Sequence, residues 1–157
     1  MRLSKFMKKI FDNLKASPDF WPLLVVIALG LLAARYLFMS GYFNMHDDLH
    51  MMRQLEMEKC FLDRQIPCRW VPDMGFGYGY PLFNYYPPLP YLIGQGIRLF
   101  GLLSFVTVAK MLFALAMVLP GVFMYLLAKT FFGRIGGFLS AIFYIWAPYH
   151  SVDIYVR

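Results

Sequence analysis

Charge is what this sequence of 157 residues has least of: Asp, Glu, Lys and Arg together make up 15% of it, where a soluble domain carries about a quarter. A short chain buries only a limited fraction of its area, so a chain that is 60% hydrophobic cannot hide that surface in one small core. Lipid is the place for the excess, and the fold class expected is an all-α membrane protein. Cysteine and histidine are sparse too, two and three residues, with no spacing that resembles a zinc knuckle. The run GFGYG has no strand before it and no helix directly after it, so it is not a nucleotide-binding fingerprint. The net charge of +6 does not argue for nucleic acid as a partner. Its basic residues gather at Arg2, Lys5, Lys8, Lys9 and Lys15, just ahead of the first apolar run, where the positive-inside bias puts them.

What the sequence does have is hydrophobic length. Residues 1–16 carry Leu3, Phe6, Met7, Ile10, Phe11 and Leu14 at helical spacing between lysines, which reads as an amphipathic helix on the cytoplasmic headgroups. Ser17-Pro18-Asp19 ends it. A first span is expected over 20–39, close to the ~20 apolar residues that cross a bilayer; no small-residue cleavage site follows, so it reads as an uncleaved anchor. From 40 to 103 no window is apolar enough to span. This is an outer loop with surface helices at about 48–64, where Leu49, Met52, Leu55 and Leu62 mark the apolar face, and at about 90–100. Between them the glycines and prolines of RWVPDMGFGYGYPLFNYYPPLPY allow tight turns and bar a regular helix until Pro90. Further spans are expected at 104–128 and 135–149, joined by a turn at Gly133-Arg134. With three spans, Lys129 and Arg134 lie in the cytoplasm. The polar end 150–157 then returns to the outer face shared with the loop.

Cys60 and Cys68 close a disulfide if the loop faces an oxidising compartment and are free thiols otherwise. The sharpest cluster is His46-Asp47-Asp48-Leu49-His50, costly to place at a bilayer edge. His46 and His50 are one helical turn apart, a spacing that suits a divalent metal; equally, Asp47 or Asp48 is a solvated helix cap. HDDLH also approximates the HExxH zinc-protease motif with Asp in place of Glu. The aromatic loop offers flat faces with polar tips for a sugar or a prenyl chain, or an ordinary interfacial belt. His150, Asp153 and Arg157 fall three to four residues apart on one helical face.

The order HDDLH, IPCRWVPDMGFGYGYPLFNYYPPLPYL, LAKTFFGR and APYHSVDIYVR resembles a prokaryotic family of multi-span membrane proteins. Its legacy label is "6-pyruvoyl-tetrahydropterin synthase-related", and the likeness runs from about Asp47 to Arg157. Pterin chemistry is not implied, because no His-rich zinc site is present. More broadly the layout is similar to the N-terminal part of the GT-C glycosyltransferases, among them protein O-mannosyltransferases and lipid A aminoarabinose transferases. The resemblance implies transfer of a sugar from a polyprenyl-phosphate donor to an acceptor on the outer face of a prokaryotic inner membrane. It implies Asp47 as general base with Asp48 second. His50, Arg69, Tyr80, His150 and Arg157 would serve the donor or its phosphate, and Asp48, His50 and Asp153 would hold a divalent metal. The enzymes resembled have many more spans, so a C-terminal transmembrane region is an expected missing partner. A non-catalytic membrane subunit or transporter part is the alternative.

Overall fold

A computed structural model describes residues 17–42, 48–101 and 103–156. The expected amphipathic helix at 1–16 lies outside them, as do His46, Asp47 and Arg157. The described chain is mostly helical and, among the described residues, contains no strand beyond one isolated antiparallel bridge, Val71 with Tyr80. It is all-α. The helices are α1 (Phe20–Ala33), α2 (His50–Leu62), α3 (Leu82–Tyr85), α4 (Leu89–Gly101), α5 (Phe105–Ile145) and α6 (Pro148–Tyr155). They divide into two compact units, one built from residues up to Tyr36 and from Ala114–Asp153, the other from Leu37–Phe113 and the last residues.

In the first unit, α1 starts where Ser17 and Pro18 break the chain. The Phe20 N–H donates to the Ser17 carbonyl at 3.1 Å. Asp19 occupies the N-cap but makes no side-chain cap bond; its carboxylate is engaged elsewhere, as shown below. The helix ends at Ala33, and a short 3-10 turn, Arg35–Phe38, follows. The apolar stretch 20–39 is thus two pieces rather than one continuous helix. α1 alone rises about 21 Å at ~1.5 Å per residue.

α5 contains Gly133 at φ 70°, ψ −176°, a conformation essentially reserved for glycine. The contacts on either side of it show a full reversal. A Cβ on Gly121 would sit 2.5 Å from Ile145 Cδ1, and one on Gly137 would sit 2.8 Å from the Tyr125 carbonyl. Pairs that close in step around residue 133 belong to two antiparallel arms, 105–132 and 134–145. Val26, Tyr125, Ala141 and Ile145 form the core that these arms share with α1, backed by Leu23, Val122 and Phe138. Gly30 lets α1 approach closely, since a Cβ there would meet Val118 at 3.0 Å. The run Phe105–His150 is long and apolar enough to cross a membrane; α1 is apolar but shorter. Of the two arms, 105–132 alone rises about 42 Å, more than the ~30 Å hydrocarbon core of a bilayer.

In the second unit, α2 packs on α4. The Gln65 N–H donates to the Cys60 carbonyl at 2.8 Å as α2 ends, with Arg64 in the left-handed region at φ 57°. The Gln65 side chain then accepts the N–H groups of Arg69 and Trp70 at 2.6 Å each. That fold-back brings Cys68 to Cys60, and the two form a disulfide with Cα atoms 5.4 Å apart. Both sulfurs are buried in a cluster with Met57, Val71, Leu82, Phe83 and Tyr91.

α2 corrects one expectation. Its buried face is Arg53, Gln54, Glu56, Met57 and Cys60, whereas Leu49 and Leu62 of the supposed apolar face are exposed. Arg53 points inward onto Tyr86, Gln54 onto the Tyr91 carbonyl and Gln95 of α4, and Glu56 onto the Asp73 N–H.

Candidate functional site

The polar interior between α2 and α4 is the most elaborate arrangement of side chains in the second unit. Arg53 is buried. Its Nη1 donates to the Tyr86 hydroxyl at 3.0 Å, and its guanidinium lies 4.1 Å from the centroid of the same ring. The Tyr91 hydroxyl lies 3.0 Å from His50 Nδ1. Burial pushes the Tyr91 phenol well above its ordinary range, so it keeps its proton. One turn on, Gln54 donates through Nε2 to the Tyr91 carbonyl at 3.1 Å and to Gln95 Oε1 at 3.4 Å. Gly94 is required beside it, since a Cβ would collide with the Gln54 amide.

Glu56 is fully buried. Its Oε2 accepts the Asp73 N–H at 3.4 Å, and its Oε1 finds no hydrogen-bond partner among the described residues. Desolvation raises its pKa, partly opposed by the nearby Lys59. Lys59 pairs with Asp73, so two successive turns of α2 hold the start of the glycine-rich loop. At the far end Arg98 of α4 reaches Glu58 and the Leu103 carbonyl and stacks over Phe105.

Beside the disulfide lies a cavity of about 210 Å³. Met57, Phe83, Pro88 and Leu92 give it an apolar floor, Ile66, Pro67 and Cys68 a wall, and Arg69 and Asn84 are its polar groups. A cationic rim over an apolar pocket suits an amphiphile with an anionic head.

The residues expected from the sequence are distributed as follows. His50 opens α2, inside the Tyr91 network and edge-on to Phe113 at 5.0 Å. Arg69 is exposed and lines the cavity. Tyr80 pairs with Val71 through backbone bonds of 3.0 and 3.1 Å and packs on the core, outside the residues that line the cavity. Asp48 is exposed in the turn before α2. His150 and Asp153 stand on α6 in the first unit, with the His150 ring 4.7 Å from that of Tyr144. Asp47 and Arg157 lie outside the described residues. Among the described residues no three His, Cys, Asp or Glu side chains gather closely enough to hold a metal ion, and His50 already engages a tyrosine through Nδ1. Sequence reasoning missed Arg53, Gln54, Glu56, Tyr86 and Tyr91. A signal was present: three polar residues fall within four positions on α2, and two of them, Arg53 and Gln54, are received by the Tyr-Tyr-Pro-Pro-Leu-Pro-Tyr run.

The first unit holds a second polar cluster. Asp19 accepts from the Tyr125 hydroxyl at 2.8 Å and from Lys129 Nζ at 2.5 Å, with Arg134 Nε at 3.5 Å. Hydrogen bonding to Lys129 leads the causes that hold the Asp19 carboxyl below the usual range. This cluster ties the start of α1 to both arms of α5 beside their turn.

The chain matches no protein-family model, no curated protein and no solved structure.

Proposed function

We propose that the chain is a membrane glycosyltransferase, or the N-terminal part of one, that takes a sugar from a polyprenyl-phosphate donor on the outer face of a prokaryotic inner membrane. α1 and the two arms of α5 are the membrane spans, with the N-terminus and the Asp19–Lys129–Arg134 cluster on the cytoplasmic side, where basic residues concentrate. The disulfide between Cys60 and Cys68 supports an oxidising compartment for the second unit.

The observation that carries the reading is the cavity beneath that disulfide. Its apolar floor suits the first isoprene groups of a lipid, and Arg69 suits the phosphate at their head. In the reaction the acceptor oxygen attacks the sugar's anomeric carbon while the bond from that carbon to the phosphate oxygen breaks. The acceptor proton passes to the carboxylate of Asp47 or Asp48 as general base, and the polyprenyl phosphate departs with its negative charge facing Arg69.

The test uses the full-length protein in membranes supplied with polyprenyl-linked sugar. Replacing Asp47 and Asp48 by Asn is expected to lower transfer by about 10²–10⁴-fold, the usual worth of a general base. Undiminished transfer overturns the reading and leaves a non-catalytic membrane subunit.

A further inference from the structure

α4 is built inside out for a helix facing water. Its buried side carries Tyr91, Gly94 and Gln95, and its one charged residue, Arg98, turns inward onto Glu58. The opposite side carries Leu89, Ile93 and Phe100, which are 64%, 46% and 96% exposed. At 100° per residue these three fall within one narrow arc, directly across from Tyr91, Gly94 and Arg98. A water-facing surface helix would have the reverse polarity, with Arg98 outward and the leucine side against α2. The exposed arc is not a chance scatter of single apolar residues but one continuous stripe. α5, the helix long and apolar enough to cross a membrane, begins at Phe105 just after α4 ends at Gly101.

From this polarity we infer that α4 lies flat in the outer membrane–water interface, with Leu89, Ile93 and Phe100 immersed in lipid. Its occupant is the acyl region of the bilayer, because the stripe carries no charge or hydrogen-bonding side chain for a polar partner to read. α4 does not cross the membrane. A crossing would take Arg98 and its partner Glu58 into hydrocarbon. The inference rests on the reading of the chain as a membrane protein and adds to it which face of the loop touches lipid. It also fixes parity: α5 then runs inward from the outer surface, which delivers Lys129 and Arg134 to the cytoplasm.

Spin labels on engineered cysteines test this in the full chain reconstituted into phosphatidylcholine vesicles, purified without reductant so that Cys60 and Cys68 stay paired. The labelled variants are L89C, I93C and F100C on α4 and L119C on α5. The expected result is that collisions with oxygen exceed those with a water-soluble nickel chelate at all four sites. The three α4 labels should share one shallow depth and L119C should lie deeper. If L119C is deep while the α4 labels favour the nickel chelate, the inference is overturned and the membrane reading stands. If I93C is deeper than both L89C and F100C, with those two near opposite surfaces, α4 crosses and the inference is also overturned. If all four sites favour the chelate, the membrane reading itself falls, and the inference with it.

Discussion

The first unit buries Val26, Tyr125, Ala141 and Ile145 against one another and gathers Asp19, Lys129 and Arg134 into a cluster beside the turn of α5. The second unit buries Arg53, Gln54 and Glu56 and leaves Leu49, Leu62 and Leu89 exposed. Both are helical, both are small, and both expose large apolar side chains. The difference lies in what closes the interior. Three helices with glycines at their crossings, Gly30, Gly121 and Gly137, bring backbones close enough for dispersion to hold them. The second unit pairs one four-turn helix with another across a layer of amides, a guanidinium and phenols, and adds a covalent tie. Unsatisfied polar groups in such a layer are costly, so its stability depends on every partner being in place.

Removing the tie should separate the two units most clearly. Replacing Cys60 and Cys68 together by Ser is expected to cost the second unit about 2–4 kcal/mol, the usual worth of a disulfide closing a short loop. Amide hydrogen exchange should show lost protection in α2 and α4 and unchanged protection in α1 and the arms of α5. Equal loss in both units would mean that they are one cooperative body and would break the comparison.

Glu56 gives a smaller effect of opposite sign. Its raised pKa means that the fold favours the protonated form: the penalty for burying the carboxylate is absent below the unfolded pKa and fully present above the folded one. Glu56→Gln is therefore expected to stabilise the second unit at neutral pH by about 1–2 kcal/mol, the scale of one poorly satisfied buried group. The gain should vanish as pH falls below the ordinary carboxylate range. Thermal unfolding across pH reads this directly, and destabilisation at neutral pH would show that the charge is needed.

The smallest change belongs to Asp19. Its depressed pKa means that the pair with Lys129 is fully formed above the unfolded pKa and is lost as pH falls through the folded one. Asp19→Asn should leave Tyr125 an acceptor but remove the attraction for Lys129 and Arg134. It should loosen exchange protection at the start of α1 and flatten the acid side of the first unit's stability profile. A profile as steep as that of the unchanged protein would show that Asp19 does not supply the acid dependence.

Much of the framework was readable from local chemistry. Ser17-Pro18 interrupts helix wherever it occurs, Gly133 is the residue type that tolerates a reversal between two apolar runs, and Pro87-Pro88 precedes the start of α4 with Pro90 in its first turn, where a missing N–H costs nothing. The expected cluster at His46 to His50 was less readable. Its first members fall outside the described residues, and His50 proves to be paired with Tyr91, 41 positions away, a partner that no spacing rule connects to it. The disulfide was left open by sequence because it depends on the compartment and on a fold-back set by Gln65.

By itself the sequence determined where helix is interrupted and reversed, at Ser17-Pro18 and Gly133, and that α2 has two unlike faces, whereas α4 read simply as apolar, because propensity and periodicity act over a few residues. Only the tertiary structure decided which face of each turns toward protein. Periodicity measures a difference between the two sides of a helix and is blind to the medium that each side meets. In α2 and α4 the polar sides met each other across phenols, amides and one ion pair, Arg98 with Glu58, and Leu49, Leu62 and Leu89 were left to face outward.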